Sequence, residues 1–423
     1  MRILHTADWH LGKTIEGRDR QAEQEQFVDE ICRICDAEKV DLVLLAGDVF
    51  QTYNPSAAAE ELFYEALNRM AKQGQRAIVV IAGNHDNPER LCASFPLADR
   101  LGITLVGLPR QQLQPSPRAR TARAVRVDCG PSWLEVAVPG CSHSAVIAAL
   151  PYPSEGRLRQ LVTQTLSETA LQQGYNEVVK ATFAELGRRF RPDSVNIAMS
   201  HLFIRGGIES GFESENQIQQ AGGVYAVDPL AFPAAAQYIA LGHLHRPQTI
   251  ASAVPGRYAG SPLAYSFAEA GQTKSVTVVD LQPGLAAAVR EVALSAGKPL
   301  VKWRAEAGLP QVYDWLETGK DRDAWIDAEI HITSPVSNDE IHKLRSLHDG
   351  FVNLRLLARP EPEERPQLPA LSLLTQEELF IRFFESRQEG LRPDNELVSL
   401  FLELTEELDD FPDQEGGDGN APD

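Results

Sequence analysis

A mixed α/β (α+β) fold is predicted for this 423-residue chain by three observations. Five short apolar runs of β-type residues each end in Asp, Asn or His. Amphipathic helical stretches separate the first three runs, which implies a βαβ half-sheet. After Pro283-Gly284, which punctuates the chain, a smaller unit with its own strand and helix pattern begins.

The elements follow in order. Arg2 to Thr6 is an apolar strand that runs into Asp8 and His10. In extended geometry, positions two apart face the same side. A carboxylate and an imidazole then reach one point, a ligand pair that a divalent metal accepts. Gln21 to Lys39 reads as a helix with Phe27, Ile31 and Ile34 on one face. Val40 to Ala46 is a strand ending in Gly47-Asp48. Ser56 to Gln73 is a second helix, with Leu62, Phe63, Leu67 and Met70. Arg76 to Ala82 is a strand ending in Gly83-Asn84-His85-Asp86. Gly102 to Leu150 reads as strands and loops. Its Arg110, Arg118, Arg120, Arg123 and Arg126 form either a solvated hairpin or a surface that tracks phosphates. Residues 155 to 190 read as helical and lead into the strand Ser194 to Ser200, which ends at His201. The polar stretch from Phe203 to Gly223 is long for a loop. It begins just beyond a candidate ligand, so substrate contact is expected there. Gln237 to Leu241 ends in Gly242-His243-Leu244-His245, and residues 273 to 281 form a last core strand.

Polar groups outside the carboxyl ends of strands are where α/β sheets place their sites. A single such His reads as a hydrogen-bonded or surface imidazole. Five strand ends that carry Asp8, His10, Asp48, Asn84, His201, His243 and His245 read as a metal site.

In this order, D-x-H, G-D, G-N-H-D, a lone His and G-H-x-H resemble the calcineurin-like metallophosphoesterases. The stretches His5 to Gly12, Gly83 to Asp86, Ala240 to Gln248 and Tyr258 to Phe267 are similar to the SbcD-type bacterial nuclease subunits. The resemblance implies a four-layer β-sandwich core over residues 1 to 282, a capping domain over 283 to 360, a linker and helical segment over 361 to 410, and an acidic tail from 411. It implies one ion held by Asp8, His10, Asp48 and His245. A second would be held by Asp48, Asn84, His201 and His243. Asp48, alone at its strand end, is the natural bridge. Mixed O and N ligation suits manganese and is compatible with iron or zinc; the resemblance points to two Mn(II) ions. His85 is expected to act on the reacting phosphate or protonate the leaving oxygen. Asp86 is expected either to orient His85 by a hydrogen bond or to cap the turn before Pro88. Some relatives carry a second His three residues past the bridging Asp; here that position is Gln51.

The implied activity is 3′–5′ exonuclease and hairpin endonuclease cleavage of DNA, in a homodimer partnered by an SbcC-type coiled-coil ATPase. The alternative is a small-molecule or nucleotide phosphodiesterase with the same two metals. A non-catalytic scaffold for DNA ends would have no use for His85.

Bulk properties fit this reading. The net charge of −19 is concentrated at one end: residues 361 to 423 hold 18 acidic and 4 basic residues, whereas the first 360 hold 41 and 36. The catalytic part is thus nearly balanced, and bound cations would make its site attractive to phosphate. Five cysteines do not read as a disulfide framework. Cys32-x-x-Cys35 reads as helix packing. With no export signal or membrane span apparent, a cytoplasmic protein is expected.

Ala324 to Ile332 is a strand, Ser337-x-x-Glu340 a capping box, and Phe351 to Leu357 another strand. Thr375-x-x-Glu378 opens a helix carrying Leu379, Phe380, Ile381, Phe383 and Phe384. A second helix carries Leu397, Val398, Leu400, Phe401, Leu404 and Leu408. These apolar faces either fold back on the protein or dock on a partner helix.

Overall fold

Alternation of side chains along the central strands builds three hydrophobic layers. In the computed structural model, β1 (Arg2–Thr6), β2 (Leu42–Ala46), β3 (Ala77–Ile81) and β4 (Ile103–Val106) run parallel. They form a six-stranded sheet completed by β12 (Ser275–Asp280) and β13 (Ala288–Ala293), in the order β13-β12-β1-β2-β3-β4. A seven-stranded sheet faces it, with β5 (Val125–Gly130) and β6 (Trp133–Ala137) at one edge and β10 (Gln248–Thr249) and β11 (Gly256–Tyr258) at the other. Its centre is β7 (Ala145–Leu150), β8 (Val195–His201) and β9 (Tyr238–Gly242), again parallel. The structure describes residues 1–116, 122–154, 168–210, 226–358, 375–387 and 392–409.

Leu42, Leu44 and Ala46 of β2 point to the inner layer, together with Val195, Ile197 and Met199 of β8. Val43 and Leu45 point outward, onto Phe27, Ile31, Phe63 and Leu67. Those residues come from helices α1 (Gln21–Ala37) and α2 (Ala57–Ala71), the crossovers that parallel strands require. Ala198, Leu150 and Leu241 point out on the other side, onto Val179 and Phe183 of α3 (Glu168–Gly187). The result is four layers, helix–sheet–sheet–helix, as the resemblance implied.

Pro283-Gly284 lies in the connection from β12 to β13, so the first sheet continues through Ala293. A separate three-stranded parallel sheet follows, β14 (Leu300–Ala305), β15 (Trp325–Ile332) and β16 (Phe351–Ala358). It packs Trp303, Ile326, Ala328 and Ile330 against Val312 of α4 (Leu309–Glu317) and Leu344 of α5 (Asn338–Leu347). Ser337 caps α5, its hydroxyl accepting from Glu340 N at 3.3 Å. One carboxylate joins this sheet to α1. Glu23 accepts from Trp325 Nε1 at 2.8 Å, from Lys298 N at 2.7 Å and from Arg20 at 2.7 and 3.0 Å.

Residues 359–423 form a second unit, containing α6 (Gln376–Arg387) and α7 (Asn395–Asp409). Thr375 and Glu378 make the reciprocal capping box at 3.0 and 3.2 Å. Phe380 stacks on Phe401 at 4.1 Å, while Phe383, Leu400 and Leu404 are exposed. Among the described residues, no helix is long and apolar enough to cross a membrane.

Candidate metal centre

The five strand ends converge at one end of the layer between the sheets. His201 continues the inner-face alternation of Val195, Ile197 and Met199, so its ring enters that layer from β8. Asp48 lies two residues past the end of β2 at Ala46, after Gly47 with φ 89°. For Asp8 and His10 the route differs from simple extension. β1 stops at Thr6, and both residues have positive φ, 54° and 44°. The loop nevertheless stays beside the β2 loop, with Asp8 N bonded to Gly47 O and His10 N to Asp48 O, each at 3.0 Å. Asp48 (50°) and His243 (107°) also have positive φ. Non-glycine residues in that region cost roughly 1–3 kcal/mol each and collect at functional sites.

The glycines before Asn84 and His243 serve close approach. A Cβ on Gly83 would lie 2.1 Å from Asp48 Oδ1, and one on Gly242 would lie 1.9 Å from Ala46 O.

The side chains meet in three overlapping groups: Asp8, His10 and His245; Asp8, Asp48 and His201; His10, Asp48 and His85. Within each group the donor atoms lie within 4.8 Å of one another. Asn84 closes the set, its Oδ1 2.9 Å from His201 Nε2 and 3.1 Å from His243 Nδ1. All seven sequence-predicted ligands are therefore brought together, with Asp8, His10 and Asp48 each shared by two groups. Asp8, His10, Asp48, His201 and His245 are buried, while Asn84, His85 and His243 are half-buried and form the open edge.

The donor chemistry fits divalent cations. His201 donates from Nδ1 to Ala46 O at 2.8 Å, so in the neutral ring Nε2 is a bare lone pair. It faces Asn84 Oδ1 at 2.9 Å and Asp48 Oδ2 at 3.4 Å. Three acceptors meet with no donor among them unless the ring carries a proton or a cation lies between. His10 turns Nε2 to the same cluster, 3.1 Å from His245 Nε2 and 3.6 Å from Asp48 Oδ2. The electrostatics of the protein alone report the same excess of acceptors. Burial pushes Asp8 up to about 7, against the pull of His201 and His245. For His201 burial opposes the charge, but Asp48 outweighs it and raises the ring to about 9. Burial opposes charge on Asp48 too, yet His201 and His85 hold it well below the usual carboxylate range.

His85 and Asp86 take separate roles. His85 donates from Nδ1 to Gln51 O at 2.9 Å, and its backbone N donates to Asp48 Oδ1 at 2.9 Å. Asp86 does not supply the orienting bond to His85. Its carboxylate accepts from Gly83 N, Phe50 N and Val49 N at 2.8, 3.0 and 3.2 Å, capping the turns that carry Asn84 and Asp48. Gln51 uses its side chain to accept from Lys13 Nζ at 3.4 Å.

Of the arginine cluster, Arg126 is buried rather than on a phosphate-tracking surface. It bonds Asp99 and Thr104 and lies 4.9 Å from the Phe95 ring. Arg118 and Arg120 lie outside the described residues, as do residues 211–223 of the polar stretch.

Three neighbours of the site were not singled out from sequence. Tyr152 stacks on His243 at 6.4 Å and meets His201 edge-on. Glu269 and Lys274 lie behind His245. Tyr152 follows β7, a strand that ends in Pro-Tyr-Pro at the same edge, and that was the available signal. Glu269 and Lys274 had none, because Glu269 ends a short 3-10 turn and Lys274 directly precedes β12, neither with ligand spacing.

Residues 1–247 match the calcineurin-like phosphoesterase family. The chain is 46% identical over 405 residues to the SbcD component of the SbcCD nuclease of Bacillus subtilis (strain 168), covering 96% of this chain and 97% of that protein. It is 35% identical over 337 residues to the SbcD component of the SbcCD nuclease of Rhodobacter capsulatus, covering 75% of each. Among solved structures, a dimetal phosphatase from Danio rerio aligns over 70% of this chain and 99% of its own, at 12% identity and a TM-score of 0.36.

Proposed function

Because this chain belongs to the calcineurin-like phosphoesterase family, and within it to the SbcD nucleases, we propose that it hydrolyses DNA phosphodiesters at the centre described above, in complex with an SbcC-type ATPase. The observation that carries this reading is the convergence of Asp8, His10, Asp48, Asn84, His201, His243 and His245 from five strand ends into one acceptor-rich cluster.

Asp8, His10, Asp48 and His245 would hold one ion, and Asp48, Asn84, His201 and His243 the other. Two manganese ions suit this O and N donor set. A bound pair supplies an acidified water as nucleophile and offsets the negative charge of the phosphoryl oxygens. The remaining work falls to the chain. The half-buried edge formed by Asn84, His85 and His243 is where a phosphate enters. His85, tethered through Nδ1 to Gln51 O, presents Nε2 to that edge. Protonated there, Nε2 donates to a phosphoryl oxygen or to the leaving oxygen. Asp86 keeps the turns of Asn84 and Asp48 in register by its three backbone bonds.

Duplex ends and hairpins are the proposed substrates, cut 3′ to 5′ or opened internally. The three-stranded unit beside α1 is the proposed capping domain. The exposed Phe383, Leu400 and Leu404 of α6 and α7 support a helical dock for the coiled-coil ATPase. A cytoplasmic homodimer is the proposed state. The test is a manganese-dependent cleavage assay on blunt duplex and hairpin DNA, with and without the ATPase. Turnover of nucleotides with no cut in either DNA would move the substrate to small phosphodiesters.

A further inference from the structure

The two ring nitrogens of His245 look in opposite directions. Nε2 lies 3.1 Å from His10 Nε2, inside the cluster. Nδ1 lies 3.4 Å from Glu269 Oε1, behind it. Glu269 is fully buried and also accepts from Tyr265 N at 3.2 Å. Its second oxygen accepts from Lys274, which is 7% exposed. Lys274 Nζ donates in addition to His245 O and to Ser261 Oγ, each at 3.0 Å. One carboxylate thus holds the ring of His245, and the ammonium that neutralises this carboxylate holds the same residue's backbone.

We infer that Glu269 is a positioning residue for His245, with Lys274 as its fixed counter-ion. A carboxylate at Nδ1 keeps the proton on that nitrogen and leaves Nε2 as a lone pair aimed at the ion. It also stops the ring from turning about its bond to Cβ. A buried carboxylate cannot stay charged without a partner, and Lys274 meets that need without drawing on the ligands. The inference rests on the reading of His245 as a metal ligand. If the pair only filled the core, its charges could be removed together with no effect on the ion.

The test is Mn(II) binding by the full-length chain, measured by calorimetric titration, with melting curves to monitor folding. Glu269→Gln is expected to weaken binding about 10- to 100-fold, the range for loss of such an outer partner. The double variant Glu269→Gln/Lys274→Met leaves no unpaired buried charge and is expected to bind as weakly; it carries the test if the single variant does not fold. Wild-type affinity in the double variant would overturn the inference and mark the pair as structural. His245→Ala is the reference. If it weakens binding while the Glu269 variants do not, the metal reading stands and the inference falls. If His245→Ala binds like wild type, the metal reading itself fails.

Discussion

At the scale of single residues, His85 and Asp86 are adjacent in the chain and separate in role. His85 reaches the open edge of the site, and Asp86 is buried under three backbone donors. His85→Ala is therefore expected to lower the rate of DNA cleavage by about 10²–10⁴, the usual weight of a proton donor, while Mn(II) affinity and melting temperature stay near wild type. Parallel cleavage and metal titrations check this, and loss of both together would remove His85 from the chemistry. The proposed ligand set was legible because each member stands at or just past the end of an apolar run. The partner of His85 was not. A backbone carbonyl, here that of Gln51, has no signature in the side-chain sequence. The positive φ at Asp8 and His10 was equally invisible, because D-x-H reads as extended until β1 is seen to stop at Thr6.

At the scale of elements, α1 carries two messages on one face. Cys32 and Cys35 pack into the core beside Ile31 and Phe27. Burial pushes their thiols up to about 11 and about 12. Both are expected to resist alkylation near neutral pH in the folded protein and to react once it unfolds, because the thiolate is the reactive form. Mass mapping of labelled cysteines would show it; rapid native labelling would contradict the packing. The same helix carries Glu23, whose bonds to Lys298 N and Trp325 Nε1 fasten the three-stranded unit. Glu23→Gln should raise hydrogen exchange along β15 more than along β2. Equal protection in both would mean that the contact does not hold the unit. The strand and helix pattern of this unit was readable from its capping box and apolar runs. That β13 belongs to the first sheet was not, because its exposed alternation resembles an isolated edge strand and its pairing with β12 is visible only in space.

For the whole molecule, charge is unevenly shared, and stability against acid depends on particular pairs rather than on the net value. Glu135 accepts from Arg191 at 2.7 and 2.8 Å and from Ser144, and the Arg191 bond leads in holding its carboxyl below the ordinary 4.5, against the cost of burial. A carboxyl depressed in the folded state contributes stability that is present above its unfolded value and lost as pH falls through the lower folded one. The stability advantage of wild type over Glu135→Gln should accordingly be full at neutral pH and shrink in acid. Denaturant midpoints at several pH values would measure it, and a gap that did not change with pH would contradict the pairing. The βαβ half-sheet was legible because helix periodicity and strand ends agreed with one another, whereas the four layers came only with the family resemblance. The contacts of the acidic C-terminal stretch were not, because amphipathic helices with exposed apolar faces state a need for cover without naming what provides it.

The placement of His201 by strict alternation along β8 makes the site unforgiving of length changes. Because inner and outer positions exchange with every residue, inserting or deleting one amino acid between Val195 and Ser200 would turn the imidazole away from Asp48 and toward the layer of Val179 and Phe183. A library of single-codon insertions and deletions should find the connections between strands permissive and the last few residues of β2, β3, β8 and β9 intolerant. Lengthening elsewhere moves only loops, whereas a change of one codon there swaps a proposed ligand for a neighbour of the wrong parity.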